Sequence, residues 1–255
     1  MLKTRLWIRR SGFHFLKLLA RLSALGGYSG VARVGEKIGA THYRFSGAKR
    51  RHLLNEMALA LPERVTEEQL ESDLRQAYRV NDRAILEILA SYSGALTPAE
   101  VAEICGLDDR HALDRLNEQG SGVILLGMHM GNGVALAIHL AQNGYPVSVV
   151  YRESNKISPK FFADGIERNG MHAIPALPAS AGFRRMLRTL KAGGILFTLM
   201  DQANKRGGVE TLFLGKTLTM PPGPVELARR TGAPIVPVQL RDTSNGWRFG
   251  LGTPI

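Results

Sequence analysis

At 255 residues, 44% of them apolar and 22% charged, the chain can bury a full core, and its composition excludes a disordered tail. The single cysteine, Cys105, cannot form an internal disulfide, which suits a reducing compartment and a buried structural thiol. The formal charge of +11 is confined to one end: residues 1–51 carry twelve Lys or Arg against one acid, Glu36, and the rest of the chain is balanced.

The first predicted element is a basic amphipathic helix. Trp7, Ile8, Phe13, Phe15, Leu16, Leu18, Leu19, Leu22 and Leu25 alternate with Arg9, Arg10, Lys17 and Arg21, the pattern of a helix lying at a membrane interface. A spanning helix would need about 20 largely uncharged residues. Here His14, Lys17 and Arg21 interrupt the stretch before Gly26-Gly27. A cleaved signal peptide does not fit either, because charges run through the apolar region and no small-residue cleavage site follows. The competing reading is an ordinary amphipathic helix packed on the domain. A nucleic-acid partner would also use a basic surplus, but the apolar face and the balanced charge beyond Arg51 speak against it.

Residues 52–120 carry helical spacing with few strand signals, and Thr66-Glu67-Glu68-Gln69 and Thr97-Pro98-Ala99-Glu100 read as capped helix starts. From residue 121 onward short apolar runs alternate with amphipathic segments. Strands are expected near 123–128, 147–151, 195–200, 235–240 and 248–251, and helices near 134–142, 159–169, 181–191 and 224–231. That alternation predicts an α/β layered domain over 121–255, preceded by a helical region (52–120) and the basic segment (1–51). The last strand has nothing after it to cover its edge, so the core reads as truncated at its carboxyl end.

The run Val123 to Gly133 ends an apolar strand on His129, followed at once by small, turn-forming residues. Open α/β sheets place ligands at the carboxyl ends of their strands, and an accessible imidazole there can take a proton from a hydroxyl. The plainer alternative is a structural histidine. No Gly-x-Ser-x-Gly elbow accompanies it, His139 stands too far along to make a zinc pair, and no Gly-x-Gly-x-x-Gly follows a strand.

Taken together, the motifs resemble the lipid A late acyltransferases, the lauroyl and myristoyl transferases of the lysophospholipid acyltransferase superfamily. His129-Met-Gly131-Asn132 resembles the family's His-x-Gly-Asn-Trp-Glu box, Val149 to Arg152 its second strand, and Glu167-Arg168-Asn169-Gly170 its arginine before a glycine. Met200-Asp201-Gln202 is similar to its Asp-Gln strand end, Phe213 to Lys216 to its Phe-Phe-Gly turn, and Leu227 to Pro237 to the passage that follows. The segment from Arg51 to Glu63 resembles the family's N-terminal helical pattern.

The resemblance implies a glycerolipid acyltransferase-like fold: a mixed central sheet flanked by helices. It also implies acyl transfer from an acyl carrier protein or CoA thioester to a hydroxyl of a lipid A precursor or related membrane lipid, with neither metal nor cofactor. The setting would be the cytoplasmic face of a bacterial inner membrane, held peripherally or by the N-terminus. His129 would be the base, Arg168 and Arg152 would hold anionic headgroup oxygens, and Gly131, Asn132, Asp201 and Gln202 would line the site. Solvated surface arginines are the alternative for Arg168 and Arg152. The basic face of Arg184, Arg185, Arg188 and Lys191 could meet an acidic carrier protein, against the simpler reading of a solvated face.

The sequence departs from the box in one respect. Gly133 stands where the family has an aromatic residue, and Val134 where it has the acid that orients the imidazole. Either another acid, Asp201 or Glu153, substitutes, or catalysis rests on His129 and positioning alone, or the protein binds lipid without turning it over.

Overall fold

The structure, a computed structural model, describes residues 2–61, 66–152, 159–203 and 207–255, without the side chains of residues 2–11 and 159. Four helices open the chain: α1 (Leu2–Ser23), α2 (Gly27–Phe45), α3 (Gly47–Ala60) and α4 (Glu67–Tyr92), with a 3-10 turn at Ala24–Gly26. Next come α5 (Pro98–Glu103), β1 (Cys105–Leu107), α6 (Arg110–Glu118), β2 (Val123–Gly127), α7 (Gly133–Gln142) and β3 (Val147–Tyr151). The remainder is α8 (Pro159–Arg168), β4 (His172–Pro175), α9 (Ala179–Lys191), β5 (Ile195–Leu199), the hairpin β6 (Val209–Phe213) and β7 (Lys216–Met220), α10 (Gly223–Thr231), β8 (Ile235–Thr243) and β9 (Gly246–Leu251).

Seven strands form one mixed sheet in the order β1-β9-β8-β2-β5-β3-β4, parallel throughout except for the β8–β9 pair. The expected α/β architecture with an N-terminal helical region is therefore present. The central strands are apolar on both faces because both are covered. Val123 and Leu125 point into the larger core, where Leu86, Ala90, Leu136 and Ile138 pack against them. Ile124 points the other way, to Leu190 of α9 and Leu227 of α10.

Both helix starts marked in the sequence are caps. The Thr66 side chain accepts from the Gln69 N–H, and Thr97 forms a reciprocal capping box with Glu100. Cys105 is buried, and burial pushes its thiol up to about 12, as befits a structural residue.

Three features differ from the expectations. The edge of β9 is not open: β1, from the region expected to be helical, pairs with it in parallel, Cys105 opposite Trp247. Strand β4 extends the other edge of the sheet beyond β3. The segment around Phe213-Leu214-Gly215 is more than a turn, being the bend of a separate two-stranded hairpin outside the main sheet.

Helices α2 and α4 lie antiparallel at very close range. A Cβ on Gly35 would come within 2.5 Å of the Arg83 Cα, and one on Gly39 within 2.5 Å of the Tyr78 carbonyl oxygen. Two elements set the direction of α4. Its last turn meets the end of α8, through Asn169 and Arg168, at the amino edge of the sheet, while Arg83 reaches the Gly246 carbonyl at the β8–β9 turn. The stretch before Arg83 thus runs past the carboxyl ends of the strands, taking α3 and the end of α2 with it.

Candidate active site at the carboxyl edge of the sheet

Strands β2 and β5 are parallel neighbours, with Gly127 opposite Leu199. Two residues past each end stand His129 and Asp201, so the register alone brings them face to face. His129 Nδ1 lies 2.6 Å from Asp201 Oδ1, and the His129 backbone N–H donates to Asp201 Oδ2 at 2.9 Å. Burial by itself would raise the Asp201 carboxyl. The hydrogen bonds from the His129 ring and backbone, with the ring's charge, outweigh it and hold Asp201 below the usual carboxylate range. An ionised carboxylate at this distance accepts, so Nδ1 carries a proton, and in the neutral form of the ring Nε2 offers its lone pair. The imidazole is about half exposed, at 49%. It is open to a substrate.

Asp201 thus makes the contact to the imidazole that the apolar Val134 cannot make. Val134, half-buried in the first turn of α7, packs against the core. The glycine beside it has its own explanation: a Cβ at Gly133 would come within 3.3 Å of the Phe197 ring, which is buried at that spot. Glu153, the other acid considered, lies outside the described residues.

Gly131 and Asn132 shape the loop. Gly131 has φ +56°, and a Cβ there would come within 2.6 Å of Trp247 and 2.7 Å of Leu240, so only glycine lets the loop press onto this floor. Asn132 is buried with both ends of its amide engaged. Its Oδ1 accepts from the Ala135 N–H, capping α7, and its Nδ2 donates to Glu87 Oε2 at 2.9 Å. The exposed Met128 and Met130 flank His129 and line a narrow apolar crease with Phe197, Leu240 and Phe249.

Glu87, 1% exposed on α4, is the hub of this arrangement. Besides Asn132 it accepts from Trp247 Nε1 at 2.6 Å, the Tyr28 hydroxyl at 2.8 Å and Arg83 Nε at 2.9 Å. Arg83 also pairs with Asp242 at 2.8 Å and stacks 4.2 Å over the Trp247 ring. Burial would lower the Arg83 pKa, but Tyr28, Glu87 and Asp242 together raise it. Burial and then the Glu87 charge push the Tyr28 hydroxyl up. The buried charges are thus satisfied, as their desolvation demands. The network ties the loop after β2 to α2, α4, β8 and β9. The sequence reading passed over it, although a lone acid inside the run Ala84-Ile85-Leu86-Glu87-Ile88-Leu89-Ala90, four residues after an arginine, was a usable signal.

The remaining predicted residues divide by edge. Arg152 directly follows β3 and Gln202 directly follows Asp201, both exposed at the carboxyl edge. Arg168 is not brought to His129. Helix α8 leaves the carboxyl end of β3 and descends about 15 Å to the start of β4, which puts its last turn at the amino edge. There the guanidinium donates to the Tyr92 carbonyl at 2.7 Å, at the end of α4.

The chain is similar in sequence to known acyltransferases. Over 151 residues the chain is 30% identical to a phosphatidylinositol mannoside acyltransferase of Mycobacterium tuberculosis, covering 57% of this chain and 46% of that protein. Over 135 residues it is 27% identical to the enzyme of the same description from Mycolicibacterium smegmatis, covering 51% and 43%. The matched region spans less than half the length of these relatives. A family profile described as bacterial lipid A biosynthesis acyltransferase matches residues 1–253. With all but its last two residues matched, the chain belongs to the bacterial lipid A biosynthesis acyltransferase family.

Proposed function

We propose that the protein is an O-acyltransferase that moves a fatty acyl group from an acyl carrier protein or CoA thioester to a hydroxyl of a membrane glycolipid. The observation that carries this reading is the His129–Asp201 pair. His129 Nε2 takes the acceptor's hydroxyl proton while the oxygen attacks the thioester carbonyl, and Asp201 stabilises the imidazolium. Collapse of the tetrahedral intermediate forms the ester and breaks the C–S bond, and the thiolate leaves with the proton from Nε2. The proton on Nδ1 stays in place throughout.

In this reading Arg152 and Gln202, exposed on the same edge, hold anionic and hydroxyl oxygens of donor or headgroup. The acceptor class draws support from two names, the lipid A of the family and the mannoside of the relatives, both glycolipids. The setting is the cytoplasmic face of a bacterial inner membrane. Phe15, Leu18 and Leu22 stand exposed along α1 at helical spacing beside Lys17 and Arg21, with Leu25 exposed in the turn that follows, which suits interfacial docking. Among the described residues no helix is long and apolar enough to cross a membrane. The alternative, a lipid-binding homologue without turnover, drew on Val134, and with Asp201 in the acid's place no observation favours it.

The test incubates purified protein in detergent with acyl carrier protein and CoA thioesters and a total lipid extract, following thioester loss and new acylated lipid by mass spectrometry. A product that vanishes in His129→Ala supports the reading. No product across donors and chain lengths from folded protein overturns it.

A further inference from the structure

We propose that α3 and the β6–β7 hairpin together form a docking rim for an anionic phospholipid bilayer, set above His129 so that the catalytic edge of the sheet faces the membrane. This deepens the acyl-transfer reading by naming the surface from which the acceptor would be drawn.

The hairpin departs from the carboxyl end of β5, just past Asp201, and returns to the start of α10, so it stands on the His129 edge. Its register puts Val209 opposite Met220, Thr211 opposite Leu218 and Phe213 opposite Lys216 on one face. A two-stranded hairpin is marginal alone and needs something to cover its apolar face. Yet all five residues of β6 are exposed, and the bend offers Leu212, Phe213 and Leu214 to solvent at 74%, 57% and 53%.

The bend itself is unusual. Leu214 and Gly215 both have positive φ, +47° and +74°, the two-residue turn in which Asn-Gly is the relaxed choice. A leucine there accepts backbone strain to place an apolar side chain at an exposed tip.

The hairpin meets α3 through Lys216 and Glu56, whose carboxyl the ammonium holds below its usual range. Helix α3 belongs to the part of the helical layer that runs past the strands, buries none of its residues, and exposes Leu59 at 74%. Lys49, Arg50 and Arg51 lie in its first half, and its one acid is the Glu56 already paired with Lys216. Apolar tips beside a cationic helix match an anionic lipid surface: the tips reach below the headgroups and the charges meet the phosphates.

The experiment measures partition onto phosphatidylcholine vesicles with and without phosphatidylglycerol, with no acyl donor present, so its outcome is independent of turnover. Phe213→Cys carries an environment-sensitive fluorophore, since the native Cys105 is buried. The label should shift to the blue on vesicles. Lys49→Ala with Arg51→Ala should weaken partition onto phosphatidylglycerol vesicles by about 25-fold while barely changing partition onto phosphatidylcholine. Leu212→Ser with Leu214→Ser should weaken both by on the order of 10-fold. Unchanged circular dichroism and thermal midpoint show that the variants fold. A label that stays in water on bound protein, variants that partition like the parent, or loss confined to Phe15→Ser with Leu18→Ser in α1 would each overturn the proposal. Vesicle binding as proposed without turnover in detergent would sink the transferase reading and leave the docking rim standing.

Discussion

Asp201 grips His129 twice, one carboxylate oxygen on the ring Nδ1 and the other on the backbone N–H. The double contact fixes both the tautomer of the imidazole and the position of the loop that carries it. Asp201→Asn can keep the shape and still offer an amide N–H to Nδ1, stabilising the wrong tautomer. Turnover should fall by on the order of 10⁴, the loss known for such an exchange in a serine protease triad. The acceptor's KM should change little. A drop of less than tenfold in kcat would mean that Asp201 does not orient the base.

Behind the loop, the test is one of stability. Arg83→Met leaves Glu87 buried beside Asn132, Trp247 and Tyr28 without its cation. Breaking a buried pair from one side costs about 3–5 kcal/mol, and a comparable loss is expected in urea unfolding. Asn132→Ala should cost about 1 kcal/mol for the cap and about 1–3 kcal/mol for the bond to Glu87, and should lower kcat because the loop loses its anchor. If Asn132→Ala instead raises KM alone, Asn132 contacts substrate.

Much of this was legible in the chain, for reasons that differ by element. The buried runs Val123–Leu125 and Ile195–Phe197 announce parallel strands because nothing polar interrupts them. Strand β1 is only three residues long, and its partner stands over a hundred residues away, so no local pattern could reveal it. The turn at Phe213 to Lys216 was visible only through the family resemblance, and its flanking strands were hidden because β6 shows no alternation of burial. His129 could be found from its place after a strand. Asp201 could be named as a substitute acid, but its pairing depends on the alignment of Gly127 with Leu199, a fact of register that one strand's sequence does not contain. The place of Arg168 was illegible for a related reason: a motif fixes the residue type, whereas the direction of α8 decides which edge of the sheet it reaches.

Gly131→Ala tests the floor of the site. The added methyl would sit 2.6 Å from the Trp247 ring, and φ +56° is a conformation alanine resists. Steric and backbone costs point the same way, so destabilisation should exceed the roughly 1 kcal/mol typical of a Gly→Ala change at positive φ alone. The double variant Gly131→Ala with Leu240→Ala, which opens space for the methyl, should recover part of the loss. Equal stability of the single and double variants would show that the floor does not press on the loop.

The last prediction concerns acid. Because the folded protein holds the Asp201 carboxyl below its usual range, the group adds stability when it is ionised in both states, above its unfolded value of about 3.9. That contribution is lost as pH falls through the lower folded value, where the carboxyl is protonated with or without the fold. The stability of the parent relative to Asp201→Asn should therefore be greater near pH 5 than near pH 3. In the His129→Ala background the difference should shrink without disappearing, because the backbone N–H of residue 129 still donates to Oδ2. Urea midpoints across this range for the four proteins measure it directly. A difference that grows toward low pH would mean that the fold raises the Asp201 pKa, and the carboxylate role assigned to it would fail.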